Sequence, residues 1–143
     1  MTDVLYVEDD PNDADIFSRL MRKLDRSISF TIIDNGFEAL DYLTSQGKYL
    51  DQTRPMPKLV LMDLNMEGIS GFEVIQQARQ TESARFLPIV AFSTSDSPTD
   101  VRAAYEAGIN AYIVKPGGYQ ATASLLSRLY DFWLDNNLCL DSR

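Results

Sequence analysis

The stretch LVLMD, from Leu59 to Asp63, places four apolar residues directly before an acidic one. A short apolar run that ends at a polar residue is typical of a strand buried on both faces of a parallel sheet. Four further runs of this kind flank it, at residues 4–7, 30–33, 88–92 and 111–114. The sequence therefore predicts five buried strands.

Segments with helical periodicity separate these strands. Asp10 followed by Pro11 predicts the start of the first helix, because Asp is a favoured N-cap and Pro fits the first helical position. Ser97 with Pro98 repeats that signal, and Gly108 is a candidate C-terminal cap. The other helices are expected over residues 37–45, 71–79 and about 119–136. Five strands alternating with five helices imply an α/β fold, a doubly wound parallel sheet covered on both faces.

The connections predict one domain. Residues 46–58 contain Gly47, Pro55 and Pro57 and are expected to form the one long loop. No linker or repeat interrupts the chain. We therefore expect a single domain over residues 1–143, with the last helix and tail at about 119–143 and no effector domain.

Composition and charge exclude several classes of function. The 143 residues carry a net charge of -8, which disfavours binding to nucleic-acid phosphates. The absence of histidine excludes histidine acid–base chemistry and histidine metal ligands, and the single cysteine, Cys139, cannot form an internal disulfide. We expect no secretory signal, and no apolar run approaches the roughly 20 residues that span a bilayer. We expect a cytoplasmic protein without a membrane partner.

Polar side chains stand at four of the five predicted strand ends. Glu8 and Asp9 follow the first strand, Asp63 the third, Ser93 the fourth, and Lys115 the fifth. In open parallel sheets, ligands bind beyond the carboxyl ends of the strands. Each residue alone has an ordinary interpretation, a helix or turn cap for the acids and a solvated side chain for Lys115. Their joint placement favours a common site.

The chemistry of such a site follows from its residue types. Neighbouring carboxylates repel one another and favour a bound cation, which without histidine is expected to be a hard ion such as Mg²⁺, held by Asp9 and Asp63. A carboxylate is also a nucleophile that can form an acyl phosphate. Phosphoryl transfer requires charge neutralisation, which Mg²⁺ and the ammonium of Lys115 would supply. The hydroxyl of Ser93 could donate to a phosphoryl oxygen.

Six motifs are distributed along the chain: VEDD at 7–10, LMDLNM at 61–66, Gly71, PIVAFST at 88–94, AG at 107–108 and YIVKP at 112–116. Together they resemble the response-regulator receiver domains over nearly the whole sequence. This resemblance implies a flavodoxin-like (βα)5 fold with strand order 2-1-3-4-5. It also implies a stand-alone regulator in a phosphorelay, with a sensor histidine kinase as phosphodonor.

The resemblance assigns a role to each site residue. Asp63 is similar to the phosphoacceptor and Asp9 to the direct Mg²⁺ ligand, while Glu8 matches the residue that holds a metal-bound water. The backbone carbonyl of Asn65 matches the group that completes the metal site. Lys115 corresponds to the phosphate-binding lysine.

Two further residues correspond to the family's switch. Ser93 matches the switch hydroxyl and Tyr112 the rotating aromatic residue, so we expect Ser93 to move towards the phosphoryl group and Tyr112 to fill the vacated space. The change would appear on the surface of the fourth helix, fifth strand and fifth helix. The resemblance also implies a cis peptide between Lys115 and Pro116.

A narrower resemblance concerns the partner. The long loop, with Tyr49 and Arg54-Pro55, and the ending Phe132-Trp133-Leu134 resemble the single-domain regulators paired with bacterial phytochromes.

Two positions depart from the family pattern. Glu67 replaces a frequent proline, and Thr94 replaces a frequent small residue, and both affect the expected lifetime of a phosphorylated form.

The last helix offers more apolar surface than one docking face needs. Its second apolar stripe is formed by Leu126, Tyr130 and Trp133. We interpret this stripe either as a homodimer interface or as a wider core face.

Two alternatives to the phosphoacceptor function remain. One is an unphosphorylated interaction module of the same fold, and the other is a phosphatase or mutase with an aspartyl-phosphate intermediate, for which the usual DxD motif after the first strand is absent.

Overall fold

The computed structural model describes residues 2–24, 27–50 and 55–140. Five parallel strands pair in the order β2-β1-β3-β4-β5. They are β1 (Val4–Val7), β2 (Phe30–Ile33), β3 (Leu59–Met62), β4 (Ile89–Ser93) and β5 (Ala111–Val114). This order confirms the predicted flavodoxin-like sheet. The reversal between β1 and β3 places the ends of these two central strands side by side, where such sheets bind ligands.

In the described part of the chain, four α-helices connect the strands and a fifth follows β5. They are α1 (Pro11–Lys23), α2 (Gly36–Thr44), α3 (Gly71–Ala78), α4 (Pro98–Ala107) and α5 (Tyr119–Tyr130), followed by a π-helical turn at Asp131–Asn136. The predicted cap at Asp10 is confirmed, because its side chain accepts a hydrogen bond from the amide of Asn12. Ser97 stands at the N-cap position of α4, yet its side chain makes no capping hydrogen bond.

The sheet separates two apolar layers. Leu5 and Val7 of β1 face the layer formed with α2, α3 and α4, whereas Val4 and Tyr6 face the layer formed with α1 and α5. All four are buried, as are all residues of β3 and β4. Burial on both faces explains why these strands have continuous apolar sequences instead of alternating ones.

The broad apolar face of α5 belongs to the core. Leu126 and Tyr130 are fully buried, and the Tyr130 hydroxyl donates to the sulfur of Met21 on α1 at 3.0 Å. Trp133 is half-buried and packs against the same layer. The prediction that these three residues present an exposed homodimer stripe is therefore wrong for Leu126 and Tyr130. The physical reason is that, among the helices of the described residues, α1 and α5 cover this face of a five-stranded sheet, so each needs a wide apolar surface.

Two loop predictions have different outcomes. The Lys115–Pro116 peptide is trans, so the expected cis bond is wrong, and the chain keeps the isomer that X-Pro bonds intrinsically prefer. In the long loop, residues Gly47–Tyr49 form a single 3-10 turn, and the Tyr49 hydroxyl donates to Glu38 at 2.9 Å. Arg54 lies outside the described residues.

Within the described part of the chain, no helix has both the length and the apolar character needed to cross a membrane.

Candidate functional site

The register of the central strands brings the acidic residues together. Val7 pairs with Met62, and the amide of Asp63 donates to the carbonyl of Val7 at 3.0 Å. The residues that follow β1 therefore lie directly beside the one that follows β3. Carboxylate oxygens of Glu8, Asp9 and Asp63 all lie within 4.8 Å of one another.

This acidic cluster fits a hard divalent cation. Its donors are oxygens alone, and Glu8 and Asp63 are buried while Asp9 is half-buried. Mg²⁺ favours such ligands and keeps several waters, so three carboxylates at one edge of a sheet can hold it. The predicted carboxylate ligands are thus brought together by the fold.

Glu8 is fixed by three donors. It accepts hydrogen bonds from the Tyr6 hydroxyl at 2.9 Å, from the amide of Asp10 at 3.2 Å, and from the ammonium of Lys115. Burial and the neighbouring Glu8 charge raise the pKa of Tyr6 far above its ordinary value, so the phenol remains a donor. Tyr6 was not predicted as a site residue. Its spacing of two from Glu8 along one strand was the available signal, because such residues share a face.

Asp63 carries a strongly perturbed carboxyl. Burial, reinforced by a hydrogen bond to Glu8 and by its charge, raises the pKa of Asp63 to about 7, while Lys115 and the amide of Asn65 act in the opposite direction. The Asn65 amide approaches Asp63 Oδ1 at 3.5 Å. A cation beside this carboxylate would favour its ionised form, and nucleophilic chemistry requires that form.

Gly71 allows the chain to close tightly behind Asp63. A Cβ atom added to Gly71 would stand 2.2 Å from the carbonyl oxygen of Asp63 and 2.8 Å from Cα of Leu64. No side chain fits there. The amide of Gly71 also donates to the carbonyl of Leu64 at 3.0 Å, so the start of α3 braces the segment that carries Asp63.

Lys115 lies at the end of β5 and faces two acids. Its amide donates to the carbonyl of Ser93 at 2.7 Å, and its ammonium donates to Glu8 and to Asp13 Oδ2, the latter at 3.0 Å. Burial disfavours the charged ammonium, but Glu8, Asp13 and Asp63 together hold the pKa of Lys115 above its ordinary value. Asp13 was not predicted as a site residue, because nothing local in the sequence relates the first turn of α1 to β5.

The two predicted switch residues are linked through Ser95. The buried Ser93 hydroxyl accepts a hydrogen bond from the Ser95 amide at 3.2 Å, and the Tyr112 hydroxyl donates to the Ser95 carbonyl at 2.8 Å. The Ser95 hydroxyl in turn donates to Asp100 in the first turn of α4 at 2.7 Å. Ser95 therefore joins β4, β5 and α4, although no pattern in the sequence singled it out.

The two positions that depart from the family pattern are both exposed. The amide of Glu67 donates to Asp9 Oδ2 at 3.0 Å, so this loop contacts the acidic cluster through its backbone. Thr94 lies beside the buried Ser93 and is solvent-exposed. Their effect on a phosphorylated form stays a prediction.

The doubly wound sheet defines a flavodoxin-like protein. Its acidic, cation-compatible cluster and its lysine lie at the carboxyl ends of the strands, where such sheets bind ligands. Residues 4–127 match the response regulator receiver domain family, and the chain belongs to that family. It is therefore a receiver domain, and this family serves mainly in non-enzymatic signalling.

Several relatives resemble the chain along most of its length. It is 31% identical to the probable methanogenesis regulatory protein FilR2 of Methanothrix harundinacea, over 94% of this chain and 84% of that protein. It is 29% identical to response regulator Rcp1 of Synechocystis, over 92% and 88% of the two chains. Its structure resembles response regulator RPA3017 in red light signaling of R. palustris, with a TM-score of 0.87, 31% identity and coverage of 98% and 99%. It also resembles the Mn²⁺-bound form of Rcp1, with a TM-score of 0.82, 28% identity and coverage of 96% and 97%.

Proposed function

We propose that this receiver domain is a phosphoacceptor switch in which Asp63 takes a phosphoryl group from a phosphohistidine of a sensor histidine kinase. The observation that carries the proposal is the convergence of three carboxylates within 4.8 Å of one another, with Lys115 bonded to one of them. These are the charges that phosphoryl transfer to a carboxylate requires.

The transfer step follows from these residues. An Asp63 carboxylate oxygen attacks phosphorus, the new P–O bond forms as the donor's P–N bond breaks, and the histidine nitrogen keeps the electron pair and takes a proton from solvent. When bound, Mg²⁺ would neutralise charge on the phosphoryl oxygens, held by Asp9, Asp63 and the carbonyl of Asn65, with Glu8 on a bound water. Lys115 would contact a phosphoryl oxygen, and Ser93 would donate a hydrogen bond to another.

The same residues would let the domain promote both its own phosphorylation and the slow hydrolysis of the resulting acyl phosphate. Asp63 is the nucleophile in transfer, and the acyl phosphate is later cleaved by water at the same phosphorus. The regulator thus assists a single transfer per cycle, with the kinase as the true enzyme.

The signal would leave through Ser95. If Ser93 turns to a phosphoryl oxygen, its hydroxyl no longer accepts from the Ser95 amide in the present geometry. Ser95 also holds Tyr112 and Asp100, so a shift of this loop reaches β5 and α4 together. A loop with two discrete hydrogen-bonding arrangements is the kind of element that converts a local charge into a surface change.

The partners are inferred from the relatives. RPA3017 is described in red light signaling, which supports a bacterial phytochrome as the kinase. We propose that the domain works in the cytoplasm, alone or as a homodimer, and that output passes through a protein contact on the α4-β5-α5 face, with no nucleic acid or membrane bound. On that face Tyr105, Val114 and Tyr119 are exposed. With Leu126 and Tyr130 in the core, a dimer would use residues other than these two.

Phosphorylation can be tested by intact-mass measurement. The protein is incubated with Mg²⁺ and acetyl phosphate, and separately with a phosphorylated histidine kinase. One phosphoryl adduct is expected on the wild type and none on Asp63→Asn, which keeps the shape of the side chain. The absence of an adduct with both donors would favour the unphosphorylated interaction module instead.

A further inference from the structure

Lys115 makes no hydrogen bond or ion pair with the proposed phosphoacceptor among the contacts of the described residues. Its ammonium donates to Glu8 and to Asp13, and among the described residues Asp63 is not one of its hydrogen-bond partners. The ammonium also lies 5.7 Å from the centre of the Phe92 ring. Lys115 is therefore held on the α1 side of the site, whereas the proposed phosphoryl group would form on Asp63.

Its two acidic partners differ in accessibility. The side chain of Glu8 is 1% exposed and that of Asp13 is 38% exposed. If Lys115 leaves Glu8, a buried charge loses a donor, which is costly. If it leaves Asp13, that carboxylate can be rehydrated, so the pair with Asp13 is the one that can open.

The Lys115–Asp13 pair borders open space on its α1 and α5 side. A cavity of about 280 Å³ borders both Lys115 and Asp13, and its other walls include Phe17, Phe92 and Tyr119. The backbone on both sides is fixed, since Asp10 caps α1 and the Lys115 amide bonds to β4. Opening of the Lys115–Asp13 pair therefore concerns the two side chains and not the backbone that carries them.

We propose that Asp13 is a positioning residue that retains Lys115 in the resting state and releases it to the phosphoryl group on Asp63. This inference rests on the proposed function. A phosphoryl group carries a charge of about −2 at neutral pH, more than a carboxylate, so it competes successfully for the ammonium. Asp13 thereby sets how readily the activated arrangement forms, without contacting the phosphoryl group.

The first experiment requires no phosphoryl transfer. NMR of the Lys115 side-chain ammonium in metal-free protein compares the wild type with Asp13→Asn and Asp15→Asn. Asp15→Asn is the control because it removes the same charge from α1. Asp15 pairs with Arg19 at an exposed position. Asp13→Asn is expected to shift the Lys115 signal and to speed proton exchange with water, and Asp15→Asn is expected to do neither. An unchanged signal in Asp13→Asn would overturn the proposal.

The second experiment measures competition. Binding of beryllofluoride, a phosphoryl mimic, is titrated in the presence of Mg²⁺. Asp13→Asn is expected to bind it about two- to fivefold more tightly than the wild type and Asp15→Asn, the range of a partly exposed ion pair. Asp13→Glu should restore the wild-type affinity. Equal affinities in Asp13→Asn and Asp15→Asn would show that Asp13 does not hold Lys115 back, and would reject the proposal.

The two experiments separate the two failures. If the wild type neither binds beryllofluoride nor forms a phosphoryl adduct, the proposed function fails. The Lys115 signal would still show whether Asp13 positions the lysine. If the adduct forms and the Asp13 variant behaves as its control, only the present inference fails.

Discussion

Asp63 combines burial, a neighbouring negative charge and a nearby ammonium in one side chain. Burial and Glu8 raise its pKa to about 7, and only part of that effect is offset by Lys115 and the Asn65 amide. An isolated carboxyl group in a strand-end turn would be ionised at neutral pH. The raised pKa therefore indicates that the folded metal-free protein holds this carboxylate at a cost in stability.

The loss of folding stability caused by the ionised Asp63 carboxylate should depend on pH. Its folded pKa lies above the unfolded value, so the folded state binds more protons between about pH 4 and 7 and its stability falls as the pH rises through that range. Asp63→Asn removes this effect. We expect the variant to be more stable than the wild type at pH 8 by on the order of 2 kcal/mol and to differ little at pH 4. Urea unfolding in the presence of a chelator measures both.

Excess Mg²⁺ provides the control for this prediction. Ligand binding stabilises the folded wild type but not a variant that lacks the Asp63 carboxylate. The stability advantage of Asp63→Asn at pH 8 should therefore shrink or reverse. An advantage that is the same at both pH values would show that the carboxyl titrates normally.

Gly71 is a second residue whose identity is decided by one contact. In Gly71→Ala the methyl group would meet the Asp63 carbonyl and the Leu64 backbone. We expect destabilisation of about 2–4 kcal/mol and weaker Mg²⁺ binding, because α3 and the segment that carries Asp63 must separate. Urea unfolding and a Mg²⁺ titration measure the two effects.

Gly117 offers a matched control for that substitution. A Cβ there would meet nothing within 4 Å, so Gly117→Ala should change stability by less than about 0.5 kcal/mol. Equal effects of the two substitutions would show that the close approach at Gly71 is not what constrains it.

At the scale of secondary-structure elements, the Arg79 side chain connects the ends of three elements on the side of the sheet opposite the site. Its guanidinium follows α3 and donates to the carbonyl of Gly108 after α4 at 2.8 Å, and to the carbonyls of Ala84 and Leu87 before β4 at 2.9 and 2.6 Å. It also donates to Asn110 Oδ1 at 2.8 Å. Burial lowers the pKa of Arg79, and the acceptors around it are carbonyl groups.

Arg79→Lys tests this junction while keeping the charge. Lysine lacks the planar guanidinium group, so it cannot donate hydrogen bonds to four acceptors that lie in different directions. We expect a loss of about 2–3 kcal/mol in the free energy of unfolding, because half-buried carbonyls are left without donors. Urea denaturation measures it. Arg102→Lys, which affects an exposed pair with Glu106, should change stability by less than about 0.5 kcal/mol, and a similar loss in both variants would contradict the assignment.

At the scale of the whole molecule, α5 decides how the sheet is covered. Leu126→Ala removes a fully buried side chain from the layer shared with α1. We expect a loss of about 2–5 kcal/mol in unfolding free energy, the range for cavity formation in a core. Phe132→Ala, at an exposed position of the π-helical turn, should cost far less.

Sedimentation measurements on the same two variants distinguish core from interface. If Leu126 serves only the core, Leu126→Ala loses stability without changing the dissociation constant of any dimer. A weakened dimer with unchanged stability would restore the original interface interpretation of this residue.

Local patterns in the sequence were enough for most of the fold. Apolar runs predicted each strand to within one residue. For β1, β3 and β4 the reason is burial on both faces, which leaves no polar side to interrupt the run. The expectation of burial was wrong for the edge strands β2 and β5, which are mostly half-buried because each has a neighbouring strand on one side alone. The Asp10-Pro11 pair predicted the start of α1 correctly. At α4 the similar Ser97-Pro98 pair predicted the right position, but the Ser97 side chain makes no capping hydrogen bond. The amide of Ser97 donates to the hydroxyl of Ser95.

By itself, the sequence determined the family, the acidic cluster and the positions of Ser93 and Lys115 at the strand ends. These depend on order along the chain, and parallel pairing converts that order into proximity at one edge. Only the tertiary structure decided that Lys115 rests on Asp13, that Ser95 links Ser93 to Tyr112, and that Leu126 and Tyr130 lie in the core. The Lys115–Asp13 and Tyr130–Met21 contacts join residues 102 and 109 positions apart and depend on which helix packs on which face, so they leave no local pattern. The Ser95 link depends on the path of the loop after β4, which brings Ser95 to Tyr112, 17 positions away.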